Sequence, residues 1–294
     1  MDGIHVFLNA GRGSAVVRRL AEAGHGIAAV HVPPERAQNA EIVAACDVAG
    51  LTPHPVPDVN DPVFVGTLAD ARLAVIGGYS TIFRKPLFDA PALGTINLHA
   101  GRLPQYRGGS PLNWQLINGE ERAAISVIRV DDGIDTGDVL AEAEFAIGPA
   151  DTIADLHERA NVLFPQLVLD VVERFARGET GGRAQDPALG RYWHQRNDAD
   201  GRIDWQRMTA TQVHALVRAV TRPYPGAHTM AGDTRLRVFA VEVPALAIHG
   251  APGRVVHLQR TGPYVVCADR AVLLRDYAAE DGTRPRLPTG TYLA

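Results

Sequence analysis

The chain has 294 residues, of which 46% are hydrophobic, and its formal net charge is −4 at pH 7. This length and apolar content predict a well-buried core and more than one domain. The negative charge argues against a nucleic-acid partner, and the sequence shows neither a signal-peptide pattern nor an apolar run long enough to cross a membrane. The two cysteines, Cys46 and Cys267, are far apart in apolar surroundings, which favours free thiols in a reducing cytoplasm.

The first third of the chain alternates short apolar runs with helical patterns. Strands are predicted at 4–8, 27–32 and 74–77, helices after the first strand, at 41–46 and within 63–73, and an extended connection at 52–57. This alternation is typical of a parallel sheet, so a Rossmann-like α/β domain is predicted over residues 1–180. The turn with Gly11 and Arg12 lacks the third glycine of a dinucleotide loop. We expect a substrate contact there, and a tight turn into the helix is the alternative.

The stretch 94–140 contains three polar residues at positions where polarity is costly. Asn97 and His99 alternate with apolar residues, as on a strand, so their side chains share one face. An amide can hold a carbonyl oxygen, and an imidazole can move a proton near neutral pH. Asp135 follows an apolar run, where a loop can return its carboxylate to the imidazole. The alternatives are a structural Asn-x-His and an ordinary turn at Asp135.

The rest of the chain changes from helical to β-rich patterns. Helices are predicted at 111–117 with Trp114 on the buried face, at 152–177 with a kink at Pro165, and at 209–220. Residues 181–200 read as a linker. Short strands at 236–243, 253–258, 264–268 and 271–275 predict a smaller OB-like β-barrel domain over residues 201–294.

Several motifs carry a family resemblance. The runs N-L-H-A-G-x-L-P-x-Y-R-G-x-x-P-L-N-W, I-N-G-E and D-x-G-I-D-T-G-D closely resemble the 10-formyltetrahydrofolate-dependent formyltransferases, which include methionyl-tRNA formyltransferase and the sugar N-formyltransferases. G-R-I-D-W and R-P-Y-P-G-A resemble the OB-like C-terminal domain of that family. The resemblance implies that Asn97, His99 and Asp135 form the catalytic triad and that 10-formyltetrahydrofolate is the formyl donor.

The resemblance also implies where the folate binds. Its pterin is expected to contact the loop after the strand at 74–77, largely through main-chain groups, and to be covered on its other side by the stretch before Asp135. The alternative for Ile82 and Phe83 is buried packing. The residues concerned are Thr81, Ile82 and Phe83 on one side and Asp131, Asp132, Gly133 and Ile134 on the other.

The loop at 103–111 is the predicted acceptor contact. Its Tyr106 and Arg107 are interpreted as too polar and exposed to be simple core. An arginine can bind a phosphate with two nitrogens, and a tyrosine can stack on a ring, so both suit a sugar nucleotide. The alternative is that Arg107 only ties down its own loop.

Three amine acceptors are compatible with the family, and a nucleotide-linked amino deoxysugar is predicted first, hydroxyornithine second and methionyl-tRNA third. Between 33 and 41 there is one arginine, Arg36, where tRNA enzymes carry a long basic loop. Residues 200–294 hold 12 arginines against 8 acidic residues, a weak excess for gripping a phosphate backbone. The alternative from another class is a non-catalytic nucleotide- or folate-binding protein, which the complete triad disfavours. We expect a homodimer without a metal, a nucleic acid or a membrane as partner.

Overall fold

The computed structural model describes residues 1–9, 11–79, 81–259 and 261–294, which divide into two units. Unit 1 comprises Met1–Pro111, Ala124–Phe145 and Glu158–Trp193, and unit 2 comprises Leu112–Ala123, Ala146–His157 and His194–Ala294. The first part of the predicted linker at 181–200 therefore belongs to unit 1. None of the helices in the described residues is long and apolar enough to span a membrane.

The described residues form fourteen strands and seven α-helices. The strands are β1 (Ile4–Leu8), β2 (Ile27–Val32), β3 (Pro53–Pro55), β4 (Leu73–Gly77), β5 (Thr95–His99), β6 (Arg107–Gly108), β7 (Arg122–Arg129), β8 (Val139–Ala146), β9 (Tyr192–Trp193), β10 (Ala227–Ala231), β11 (Thr234–Glu242), β12 (Val255–Leu258), β13 (Thr261–Val266) and β14 (Ala271–Ala279). The helices are α1 (Gly11–Glu22), α2 (Ala40–Val48), α3 (Pro62–Gly66), α4 (Lys85–Phe88), α5 (Pro111–Ile117), α6 (Ile153–Ala176) and α7 (Ala210–Val220).

A seven-stranded sheet in the order β3-β2-β1-β4-β5-β7-β8 organises unit 1. The pairs from β3 to β5 are parallel, and β7 joins β5 antiparallel. Every residue of β4 is buried, as expected for a strand in a sheet that is covered on both faces. The carboxyl ends of β1, β4 and β5 lie at one edge of the sheet, where ligands bind in open α/β folds.

One strand of this sheet was predicted only as an extended connection. Pro53–Pro55 pairs with β2 through His54, which lies opposite His31. A strand with two prolines is tolerated here because it lies at the edge of the sheet, where fewer ladder hydrogen bonds are required.

An apolar cluster packs around β1 and β4. Burial of such a cluster is the main favourable term in folding, at about 25 cal/mol per Å² of apolar surface. The cluster contains Phe83 of the predicted folate loop, so the side chain of this residue is used for packing. Its members are Phe7, Val56, Val59, Leu68, Ala71, Ala74, Ile76, Phe83, Leu87 and Phe88.

One expectation for the helices needs correction. Trp114 is only partly buried in α5, because the buried positions are taken by residues that include Asn113, whose amide donates to the carbonyl of Ala219 at 2.7 Å. The indole of Trp114 instead donates to the carbonyl of His194 at 3.1 Å. In α6 the helix assignment continues through Pro165, and the kink expected there stays a prediction.

Unit 2 contains a five-stranded antiparallel sheet in the order β10-β11-β14-β13-β12. Residues at the end of the chain bridge both of its outer strands, since Leu293 pairs with Ala231 and Tyr292 pairs with Arg254 next to β12. The sequence did not predict β10. Helix α7 begins as predicted, with a capping box between Thr209 and Gln212. The predicted fold class is confirmed: a mostly parallel α/β domain and a smaller β domain.

Candidate active site

Strand β5 carries two of the predicted triad residues to the ligand-binding edge of the sheet. Asn97 lies opposite Ile76 of β4 and Ile128 of β7, and His99 lies opposite Ser126. Because residues two apart on a strand share a face, the amide and the imidazole point the same way. Within the described residues, the Asn97 side chain makes no hydrogen bond, so its amide can bind a ligand.

The imidazole of His99 is held on both nitrogens. Its Nε2 lies 2.6 Å from the carbonyl oxygen of Tyr106, and since a carbonyl only accepts, Nε2 carries the proton. Its Nδ1 faces Oδ2 of Asp135 at 3.4 Å, and the two side chains are 5% and 14% exposed. An acceptor beside each nitrogen suits the doubly protonated ring. A methyl group at Gly101 would lie 2.7 Å from Nε2, so this glycine leaves room for the ring.

The loop that carries Asp135 is shaped by its own residues. Oδ1 of Asp131 accepts from the amide of Gly133 at 3.1 Å and from the hydroxyl of Thr136 at 2.6 Å, which closes an Asx turn. A side chain at Gly137 would collide with the carbonyl of Arg129. The D-x-G-I-D-T-G pattern therefore folds back at its end and returns Asp135 to the sheet.

Asp135 itself adopts a left-handed backbone conformation, with φ of 53°. This conformation costs a non-glycine residue roughly 1–2 kcal/mol, so it needs support from its neighbours. Oδ2 of Asp135 accepts from the amide of Gly108 at 2.9 Å, and its carbonyl accepts from the amide of Gln185 at 2.9 Å. The carboxylate of Asp135 and its backbone are thus each held by a hydrogen bond.

Tyr106 and Arg107 are placed differently from the sequence interpretation. Tyr106 is only 5% exposed, because its ring stacks on Trp193 at 5.7 Å between centroids. Arg107 is partly buried, and its Nε and Nη2 donate to Oε1 of Gln185 at 3.0 and 2.8 Å. Neither is an exposed loop residue, since β6 pairs with β9 and brings Trp193 over the loop. Their contact with an acceptor stays a prediction.

The predicted folate segments offer a suitable pair of surfaces. Ile82 and Ile134 are large apolar residues that are 76% and 52% exposed, and Phe83 is 7% exposed. Lys85, two residues after Phe83, lies 3.6 Å from Asp132, so it links the loop after β4 to the segment before Asp135.

The backbone of the loop after β4 is held by hydrogen bonds to a residue outside the loop. Asn60 accepts from the amide of Arg84 at 2.9 Å and donates to the carbonyl of Ile82 at 3.0 Å. The side chain of the neighbouring Thr81 is exposed. Exposed isoleucines on two linked segments suit a flat aromatic ring, so the residues present fit a folate. The contacts themselves stay predictions.

Gly11 and Arg12 begin α1, and Arg12 is directed at another helix. Its Nε donates to Asn161 of α6 at 3.2 Å, and its guanidinium lies 4.8 Å from the ring centroid of Phe164. A side chain at Gly11 would meet the carboxylate of Glu41. These contacts give both residues a structural role, and a substrate contact stays a prediction.

Four contributors to this site were missed by the sequence analysis. Gly101 and Gly108 lie inside the recognised motif, and the close approaches around them give the physical reason for a glycine. Gln185 and Trp193 lie in the predicted linker, where no local pattern sets them apart. Among the described residues, no group of three or more His, Cys, Asp or Glu side chains could hold a metal ion.

The chain matches known families over most of its length. A formyl transferase model matches residues 34–172, and a model of the formyl transferase C-terminal domain matches residues 196–286. The methionyl-tRNA formyltransferase of Geobacter sulfurreducens is 34% identical over 288 residues, which cover 95% of this chain and 89% of the relative.

Solved structures share the fold. HypX from Aquifex aeolicus in complex with tetrahydrofolic acid has a TM-score of 0.66 and 19% identity, over 94% of this chain and 44% of HypX, so the chain spans less than half of that protein. An N-formyltransferase from Helicobacter canadensis in complex with folinic acid and dTDP-3-aminofucose has a TM-score of 0.72 and 14% identity, over 93% of this chain and 99% of that one. At these identities the likeness supports the fold alone.

Proposed function

Because the chain belongs to the formyl transferase family and is a formyltetrahydrofolate-dependent enzyme, we propose that its acceptor is the amine of a nucleotide-linked amino deoxysugar. The single observation that carries this proposal is the charge pairing in unit 2. Tight binding of a tRNA draws on cationic side chains that are free to meet phosphates. In unit 2, several arginines are instead paired with carboxylates.

Four arginines of unit 2 illustrate this pairing. Each of them lies within ion-pair distance of at least one acidic side chain, which leaves little net positive charge at that place. The pairs are Arg222 with Asp276, Arg235 and Arg237 with Asp198 and Glu280, and Arg275 with Glu242.

The segment after β2 agrees with this reading. It contains a short 3-10 turn, Pro34–Arg36, instead of a long basic loop. The guanidinium of Arg36 donates to Oδ1 of Asn9 at 3.1 Å. A small acceptor with one or two phosphates, unlike a tRNA, can bind without a broad basic surface.

In the proposed mechanism, three side chains act on one reaction. Formyl transfer joins the amine nitrogen to the formyl carbon and breaks the bond from that carbon to the folate nitrogen. Asn97 donates a hydrogen bond to the oxygen that becomes negative, a contribution on the order of 3 kcal/mol. The amine loses a proton and the leaving folate nitrogen gains one, and His99 carries out both transfers, directly or through water, so that the ring ends in its starting state. For this, Nε2 of His99 exchanges the carbonyl of Tyr106 for the substrate or a water. Asp135 keeps the imidazole in place.

Methionyl-tRNA is the second candidate acceptor, because a relative with that activity in its name is 34% identical over 95% of this chain. No contact in the described residues favours hydroxyornithine, which the sequence alone placed second. The homodimer and the cytoplasmic location stay predictions. Light scattering at micromolar concentration tests the dimer, and a monomer contradicts it.

An acceptor panel tests the proposal. The protein and 10-formyltetrahydrofolate are incubated with dTDP-linked 3-amino and 4-amino deoxysugars, with hydroxyornithine and with charged initiator tRNA, and formylated products are identified by mass spectrometry. His99→Ala controls for chemical formylation. We expect turnover with an amino sugar. Efficient formylation of methionyl-tRNA with no turnover of any amino sugar contradicts the proposal.

A further inference from the structure

Gln185 stands out in the segment that follows α6. From 181 to 190 most side chains are exposed, whereas Gln185 is partly buried and both ends of its amide are bonded. Its Nε2 donates to the carbonyls of Asp135 and Gly137 at 2.9 and 2.7 Å. Its Oε1 accepts from Nε and Nη2 of Arg107 at 3.0 and 2.8 Å. All the strong hydrogen-bonding groups of this side chain are therefore used within unit 1.

These contacts meet at Asp135, the residue with the left-handed backbone conformation. Asp135 is left-handed, and such a conformation persists only where the surroundings hold it. The side-chain amide of Gln185 donates to the carbonyls of Asp135 and Gly137, the two residues that flank Thr136. Arg107 fixes the orientation of the Gln185 side chain. The main-chain amide of the next residue, Gly108, donates to the carboxylate of Asp135.

We propose that Gln185 is a positioning residue for formyl transfer, and that Arg107 acts through it to hold Asp135 against His99. The proposal rests on the proposed roles of Asn97, His99 and Asp135, and it does not depend on which amine is the acceptor. In this proposal Arg107 keeps the site ordered and does not bind a phosphate of the acceptor.

Four variants separate these roles. Gln185→Ala removes the hydrogen bonds to Arg107 and to both carbonyls. Gln185→Glu keeps an acceptor for Arg107 but loses the two donors to the carbonyls. We expect both variants to lower kcat roughly 10- to 100-fold with little change in KM, because a small misplacement of a catalytic group is costly. Arg107→Ala should lower kcat, and the double variant with Gln185→Ala should be no slower than Gln185→Ala alone.

The matched control is Arg183→Ala. Arg183 lies two residues from Gln185 in the same exposed segment, and its side chain pairs with Glu142 at 3.4 Å. Its loss should leave kcat and KM at wild-type values. Thermal melting checks that each variant is folded.

Hydrogen exchange gives a readout that needs no acceptor. The amides of residues 131–137 should exchange faster in Gln185→Ala and in Gln185→Glu than in wild type or Arg183→Ala. Unchanged exchange there, or wild-type kcat in both Gln185 variants, overturns the proposal. Additive losses in the double variant, with a raised acceptor KM in Arg107→Ala, also overturn it, since Arg107 would then bind the acceptor. If every acceptor fails, the proposed acceptor is wrong, and the exchange data alone decide for Gln185.

Discussion

Two buried histidines of the same sheet have opposite surroundings. His99 at the end of β5 has a carbonyl beside Nε2 and a carboxylate beside Nδ1. His31 in β2 is 3% exposed; its Nε2 lies 2.9 Å from Nδ1 of His5, and its own Nδ1 is buried without a hydrogen-bond partner among the described residues. The rings of Phe7 and Phe64 lie 4.6 and 5.1 Å from it.

The difference shows that burial alone does not mark a catalytic histidine. Burial, reinforced by the nearby His5 and His54, lowers the pKa of His31 to about 3. This ring is neutral near pH 7, and it packs as an aromatic residue. His99 is a candidate for proton transfer because it has acceptors beside both nitrogens and shares its strand face with the Asn97 amide, which makes no hydrogen bond within the described residues.

The largest expected effect sharpens this comparison. His99→Ala should lower kcat at least roughly 100-fold while the fold survives, because an essential proton-transfer group is lost. Asn97→Ala and Asp135→Ala should do the same. His31→Phe should keep kcat within about twofold, since its ring is surrounded by aromatic residues. Steady-state kinetics and circular dichroism check these outcomes, and near-normal turnover in His99→Ala removes the basis of the mechanism.

Acid stability probes the other histidine. The pKa of His31 is about 3 in the folded protein and 6.5 in its ordinary state. Above pH 6.5 neither state is protonated and stability is complete; below it only the unfolded state takes up the proton, so stability falls as the pH falls towards 3.

Between pH 6.5 and 5 this linkage removes ~2 kcal/mol from the free energy of unfolding. Urea titrations at pH 7.5, 6 and 5 should therefore show a smaller loss in His31→Phe than in wild type. If the free energy of unfolding falls equally with pH in the two proteins, His31 is not buried in its neutral form.

A smaller effect is expected when the space around His99 is reduced. Gly101→Ala places a methyl group 2.7 Å from Nε2 of His99 and 2.7 Å from the carbonyl of Tyr106. The ring or the loop must shift, and we expect kcat to fall about 10-fold. Gly66→Ala is the control, because nothing lies within 4 Å of its added methyl group. Equal kcat values for the two variants show that the contact has no catalytic consequence.

The smallest effect is expected at the predicted folate surface. Ile82 is 76% exposed, so Ile82→Ala should leave stability unchanged. If the pterin covers this side chain, the dissociation constant of 5-formyltetrahydrofolate should rise about 5- to 10-fold, in line with the apolar surface that is lost. Val48→Ala, at another exposed apolar residue, is the control. Calorimetry that finds wild-type affinity for Ile82→Ala argues against this surface.

Local patterns were enough to predict much of this molecule. The alternation in Ile-Asn-Leu-His predicted β5 and the shared face of Asn97 and His99, because side-chain period is a local property. The cap at Thr209 is local in the same sense.

Long-range contacts were not predictable in this way. Tyr106 is buried by Trp193, 87 residues further along the chain, and Gln185 reaches Asp135 across 50 residues. Neither partner carries a signal in its own neighbourhood. The edge strand β3 was missed because its prolines disfavour a strand wherever the pairing is unknown.

The structure of a complex with 5-formyltetrahydrofolate, a stable analogue of the donor, tests the central claim most directly. The account predicts the pterin between the loop Thr81, Ile82, Phe83 and the segment that ends at Asp135, with the formyl oxygen within hydrogen-bond distance of the Asn97 amide. A folate bound instead at the turn with Gly11 and Arg12, with Asn97 and His99 out of reach of the formyl group, contradicts it.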